Sequence, residues 1–197
     1  MIAGARNVRD FFLSDKAEVF NIVQPNYRME MLAYYDVGRL MPTTGVLGEK
    51  ATLVRATDDY LAVNLSEASK VEMLMLTSGR DTVLYVVNTV MLPVPDSRLS
   101  AYSTDWKPLR IDKLVSLPAI GDFIAVPKNA PVKKTDVEAK IIFPLISYSI
   151  DDSAKTLTAR QQMRAFMGKD AYKAIAPYMT DSIVYERSGG VRLKRRK

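Results

Sequence analysis

The sequence predicts an α+β protein: N-terminal helices, then an antiparallel β-sheet, then a C-terminal helix and a closing hairpin. Three observations carry that reading. Apolar residues before residue 38 recur at helical spacing, those from Thr52 to Ala101 alternate with period two, and period two returns after Ile141. The stretch Asp81–Leu109 is the centre of the pattern. Its first half, DTVLYVVNTVML, is the longest β-prone apolar run, and its second half ends in the only tryptophan, Trp106.

Taken in order, Val8, Phe11 and Phe12 fall at i, i+3 and i+4, the spacing of one helical face. Ser14 can cap a short second turn, with Asp15 and Glu18 near its positive end. Pro25 suits a first helical position. The helix after it offers Met29, Leu32, Ala33 and Tyr35/Asp36 along one side and stops at Gly38. Pro42 to Gly48 is turn-rich. Beyond it, Leu61, Val63 and Leu65 alternate with Tyr60, Ala62 and Asn64, and Asp58-Asp59 make the turn before them.

Val71, Met73 and Met75 face one way in the next strand, with Lys70 and Glu72 opposite. Thr77 to Asp81 reads as a hairpin loop. Then Val83, Tyr85, Val87 and Met91 face one side, and Leu84, Val86, Val90 and Leu92 the other. A strand apolar on both faces belongs at the centre of a sheet covered on both sides. Pro93 and Pro95 end that ladder, since proline donates no backbone hydrogen bond. Leu99 and Ala101 resume the alternation. Between Lys113 and Pro131 the sequence is irregular, with one helical turn expected near Ile120–Ile124 and a short helix at Lys133–Glu138.

Ile141 to Ile146 is strongly apolar, with Pro144 implying an edge or a bulge. Lys155 to Phe166 alternates as a strand with one wet face. Lys169 to Met179 reads as a helix with Ala171, Tyr172, Ile175 and Tyr178 inward and Pro177 distorting its last turn. Ile183–Tyr185, Ser188-Gly-Gly, and Val191 with Leu193 form the closing hairpin. The chain is expected to be a single domain over 1–197, or two similar lobes of about 1–112 and 113–197. The lobes are suggested by double aspartates in LVRATDDYLAVNL and LISYSIDDSAKTLTA, which also arise by chance.

Composition bounds function mainly by exclusion. With 48% hydrophobic and 25% charged residues, the chain is composed like a folded protein. It has no cysteine and no histidine, which removes disulfides, thiol nucleophiles, the Ser-His-Asp relay and Cys/His metal ligation. Nucleotide-binding glycine loops, the GxSxG elbow and EF-hand spacing are all missing. Asp58-Asp59 lack acidic partners at fixed spacing, so no metal and no cofactor is expected.

No run approaches the ~18 apolar residues of a membrane span, and Met1-Ile-Ala-Gly-Ala lacks a signal-peptide core. Of the net charge of +6, five positives (Arg192, Lys194, Arg195, Arg196 and Lys197) sit in the last six residues, leaving +1 on the rest. A solvated terminus is therefore expected in preference to a nucleic-acid-binding face, and no nucleic-acid partner is expected. The one ligand-site candidate is the polar cluster Asp96, Arg98, Tyr102, Asp105 and Arg110 around Trp106. The plainer alternative is a tryptophan packed across a strand end, its N–H meeting a nearby acceptor.

The segments NYRMEMLAYYDVG, VLYVVNTVMLPVP, DSRLSAYSTDWKPL and APYMTDSIVYE resemble an uncharacterised family of small, usually exported Bacteroidales proteins, a domain of unknown function. DSRLSAYSTDW is the most distinctive of them. The resemblance implies export to the periplasm or cell surface and carries over no catalytic residue. The leading expectation is a non-enzymatic exported binding or interaction module whose partner is another protein or a cell-envelope glycan. The alternative is a carboxylate-dependent hydrolase acting on glycans, which needs neither His nor Cys and takes Asp58, Asp59, Asp96 and Asp105 as its candidates.

Overall fold

A computed structural model of the chain describes residues 7–196. The Met1–Ala5 stretch tested for a signal, and Lys197 of the basic tail, lie outside the described residues. Helix α1 (Val8–Leu13), a 3-10 turn (Glu18–Phe20) and α2 (Pro25–Asp36) come first. Six strands follow as an uninterrupted antiparallel meander: β1 (Thr43–Thr44), β2 (Lys50–Ala56), β3 (Tyr60–Ser66), β4 (Ser69–Ser78), β5 (Asp81–Val90) and β6 (Asp96–Tyr102).

After an irregular connection containing α3 (Lys134–Glu138) come β7 (Ile146–Asp151), β8 (Thr156–Gln161), α4 (Met163–Phe166), α5 (Lys169–Lys173), β9 (Ser182–Arg187) and β10 (Leu193–Arg195). These four strands form a second antiparallel sheet in the order β10-β9-β8-β7. The expected α+β class, with its N-terminal helices and closing hairpin, is the class observed.

The six-stranded sheet is the middle of three layers, because its strands alternate apolar residues onto both faces. Leu61, Val63, Val71, Met73, Leu84 and Val86 pack with Phe11, Phe12, Phe20, Val23, Met31 and Leu32 of the helical layer. Tyr60, Leu74, Leu76, Val83, Tyr85 and Val87 pack with Tyr148, Ile150, Leu157, Ala159, Ile183 and Tyr185 of the second sheet. β5 has the faces its alternation predicts, but Val90, Met91 and Leu92 beyond Asn88 are exposed. There the strand passes the end of both cores and its pattern no longer reports burial.

Local devices fix the helical layer. Asn7 Oδ1 accepts from the Arg9 and Asp10 amides while Asp10 Oδ2 accepts the Asn7 amide, a complete capping box. Gly38 ends α2 with φ +72°, a conformation that costs glycine little. On α2 the buried residues are Arg28, Met31 and Leu32, and Met29 is exposed, contrary to the face expected from the sequence. The helix turns Arg28 inward because its Nη1 donates to the Phe12 and Ser14 carbonyls at the open C-terminal end of α1. Burial lowers the Arg28 pKa, with Asp15 opposing the shift.

Four other expectations need correction. The strand expected over Lys155–Phe166 ends at Gln161, whose Oε1 accepts the Met163 amide and turns the chain into α4. The helix expected over Lys169–Met179 is broken into α5 and a 3-10 turn (Ala176–Tyr178) that begins just before Pro177. Ala171 is consequently exposed while Ile175 is fully buried. Ile141 to Leu145 lies outside the sheet, and Ile142 and Phe143 are largely exposed.

The basic tail, finally, is not a loose terminus up to Arg196. Leu193 is buried, the Leu193 amide donates to Leu114 O, and the Arg196 amide donates to Val184 O. Arg196 Nε also pairs with Glu186 Oε2 at 2.8 Å. A single buried leucine and the free ladder of β9 hold a segment that charge alone marks as solvated.

Candidate functional site

After β6 the chain makes a tight loop. The Ser103 amide donates to Lys107 O, Ser103 Oγ accepts from the Asp105 and Lys107 amides, and the Leu109 amide returns to Ala101 O. Trp106 sits in this loop at φ +60°, a left-handed conformation uncommon for a bulky side chain. The indole is the compensation. It is 8% exposed, packs in the helix-side core and meets the Tyr102 ring at 5.2 Å, tilted by 55°. Its Nε1 is buried with no hydrogen-bond acceptor among the described residues, which differs from the satisfied N–H expected of a packed tryptophan.

Trp106 also stands between two open clefts. One, of about 380 Å³, is lined by Asp10, Phe11, Ser14, Lys16, Thr104, Asp105 and Trp106, together with Leu13. The other, of about 480 Å³, is lined by Lys16, Glu18, Val19, Tyr102, Asp105, Trp106 and Pro108. Both volumes are in the range of small-molecule sites. Lys16, Asp105 and Trp106 belong to both, so the clefts adjoin along the loop. The chemistry is carboxylates (Asp10, Glu18, Asp105) and one lysine around aromatic surface.

The candidate cluster is therefore divided by the fold. Tyr102, Asp105 and Trp106 come together. Asp96 lies at the opposite end of β6, six residues from Tyr102, which is roughly 20 Å of strand. There its Oδ1 accepts the Ile146 amide at 3.2 Å, joining β6 to β7. Arg98 is exposed, opposite Asn88. Arg110 is exposed and ion-paired with Asp112 at 2.6 Å, outside both clefts. Sequence reasoning missed Asp10, Phe11, Ser14, Lys16, Glu18 and Val19, the wall opposite the loop. They are about 90 residues away in sequence, and no local signal marks them.

A second cluster joins the two double-aspartate turns. A register shift between Leu53 and Arg55 lets Leu53 and Ala56 share the helix-side core and leaves Arg55 outside it. Arg55 bonds Asp152 at 2.6 Å, and Lys155 Nζ bridges Asp59 (2.6 Å) and Asp152 (2.9 Å). Burial alone would raise the Asp152 carboxyl pKa, but hydrogen bonds from Lys155 and Arg55 outweigh it and hold the pKa below its usual value. For Lys155, burial opposes and the bonds to Asp59 and Asp152 prevail, raising its pKa. Lys155 takes the position beside Asp59 that a cation would occupy. No group of three or more acidic side chains able to hold a metal ion occurs among the described residues.

Between the sheets, Glu72 is buried although its alternation with Val71 and Met73 reads as a wet face. It accepts the Tyr60 hydroxyl at 2.7 Å and pairs with Lys70 at 3.2 Å. Burial, then the Glu72 charge, raises the Tyr60 pKa. Among the described residues no helix is long and apolar enough to cross a membrane.

Fold and site together define a helix–sheet–sheet protein with paired surface clefts at the end of its central sheet. The chain belongs to the family described as "Protein of unknown function (DUF3256)", whose match spans residues 1–191. It is similar to a solved domain of an uncharacterized protein from Porphyromonas gingivalis W83. That similarity has 25% sequence identity and a TM-score of 0.81, and covers 96% of this chain and 98% of that one. Both matches agree with the Bacteroidales family of unknown function that the four sequence segments resemble. No curated protein matches the chain.

Proposed function

We propose that the chain is an exported, non-enzymatic binding module, and that the clefts around Trp106 take a hydroxyl-rich ligand such as a cell-envelope glycan. One observation carries the reading: Asp105, Tyr102 and Trp106 meet Asp10, Lys16 and Glu18 across adjoining clefts. Carboxylates accept hydrogen bonds from hydroxyls, and the half-buried Tyr102 ring offers aromatic surface to the apolar face of a sugar. Export is supported by the family resemblance. Locating the chain in fractionated host cells tests it, and recovery only from cytosol would end that part of the reading.

Trp106 is the only tryptophan, so its emission reports on these clefts alone. Titration with soluble envelope-glycan fragments is expected to shift that emission, and Asp105→Asn to weaken the response. No spectral change and no heat of binding across the glycan set would refute the ligand class. The hydrolase alternative loses most of its named carboxylates. Asp58 and Asp59 lie at the β2–β3 turn and Asp96 at the start of β6, and of these four only Asp105 lines a Trp106 cleft. Its cleft neighbour Asp10 is engaged as the α1 cap. Release of new reducing ends from the same glycans would reinstate it.

A further inference from the structure

On the far side of the molecule, the end of the second sheet carries a different kind of cavity. The chain reaches β7 through Ile142, Phe143 and Pro144, and the first residue to join the ladder is Ile146. Ile142 is 80% and Phe143 61% exposed, and the Phe143 and Phe166 rings lie edge to face with centroids 6.2 Å apart. Gly168, at φ +80°, turns the chain between α4 and α5, so that Ala171 faces the same cleft as Phe166. The cleft measures about 340 Å³, and the buried Met163 and half-buried Met167 complete its apolar lining. Lys140 is its single charged residue. No carboxylate lies within ion-pair distance of Lys140 among the described residues.

Large apolar side chains left wet around a concavity mark a place where apolar surface is to be covered. Methionine thioethers adapt to a flexible partner better than branched side chains do. The lone ammonium at the rim selects the sign of what the partner carries at its end, since an unpaired cation beside apolar surface complements an anion. A polar sugar fits neither requirement, which separates this cleft from the two at Trp106. We propose that the cleft binds a monoanionic amphiphile, a fatty-acyl carboxylate. Its chain lies among Phe143, Met163, Phe166 and Met167, and its head group meets Lys140.

The test titrates the full chain with dodecanoate below its micelle concentration, following methyl resonances of Met163 and Met167 and the heat of binding. Saturable shifts at both methionines are expected with dodecanoate. At least tenfold weaker binding is expected for dodecyltrimethylammonium. Lys140→Glu should reverse that preference, and Ala171→Trp, at an exposed position, should abolish binding while the circular dichroism spectrum is kept. Lys140→Arg retains the charge and should restore dodecanoate binding. Equal affinity for the two amphiphiles, or dodecanoate binding untouched by Ala171→Trp, overturns the proposal. So does sedimentation with phosphatidylglycerol vesicles without any binding of free dodecanoate, which would mark a membrane-contacting surface instead.

Discussion

The two faces of the six-stranded sheet are closed by different means. The helix side is covered by residues 8–32, a compact N-terminal segment, with Trp106 inserted from a distant loop. The other side is covered by a whole second sheet and by Val115, Ile120, Phe123, Ile124, Val137 and Ile141 from the irregular connection. The first cover consists of short helices whose side chains show period. The second includes a segment with no regular pattern that is nevertheless core. Periodicity tells where an element lies, but burial depends on which apolar residues the connections carry inward.

The comparison predicts different failures. Phe12→Ala should cost about 3–5 kcal/mol, with hydrogen-exchange protection lost first in residues 8–36 while the two sheets stay protected. Leu74→Ala, on the inter-sheet face, should cost about 2–5 kcal/mol in denaturant titration and lower protection in both sheets together. If both variants loosen the same amides, the two faces act as a single cooperative layer and the distinction falls.

A finer probe is the ion-pair cluster that ties the β2–β3 turn to the β7–β8 turn. Asp152 is mostly buried but its partners are partly exposed, so Asp152→Ala should cost only about 1–2 kcal/mol. Because the folded Asp152 pKa is depressed, its contribution is present above the unfolded carboxylate value and is lost as pH falls through the folded one. The stability difference between wild type and Asp152→Ala should therefore shrink on the acid side, and a pH-independent difference would contradict the ion-pair account. The smallest effect is expected at the capping box. Asn7→Ala should cost about 1 kcal/mol, visible as faster exchange confined to α1.

Most of the fold was legible because β3, β4 and β5 obey period two on both faces, and because Asn7, Pro25 and Gly38 mark helix ends. What was not legible had physical reasons. Gln161 ends β8 through a side-chain bond that alternation does not register, and Arg28 is buried because it reaches the carbonyls of another helix. The site was half legible. Tyr102, Asp105 and Trp106 are neighbours in sequence and in space. Asp96 and Arg98 are neighbours in sequence only, because the extended strand carries them away from Tyr102, and Arg110 is turned out to Asp112. The opposite cleft wall, Asp10 to Val19, is set by docking of the helical layer.

The strand edges bear on self-association. An unpaired edge is a template for adding a further strand from another molecule. β1 is two residues long, too short to template much. β6 and β7, the edges of their two sheets, lie against each other, with Asp96 bonded across to the Ile146 amide, so each partly covers the other. β10 remains, and it carries Lys194 and Arg195, with Arg196 just beyond, on a strand whose Leu193 amide is already taken by Leu114. A second copy approaching that edge would bring the same positive charges with it. The basic run that looks like a tail in the sequence thus lays like charge along an edge where a second copy would have to pair.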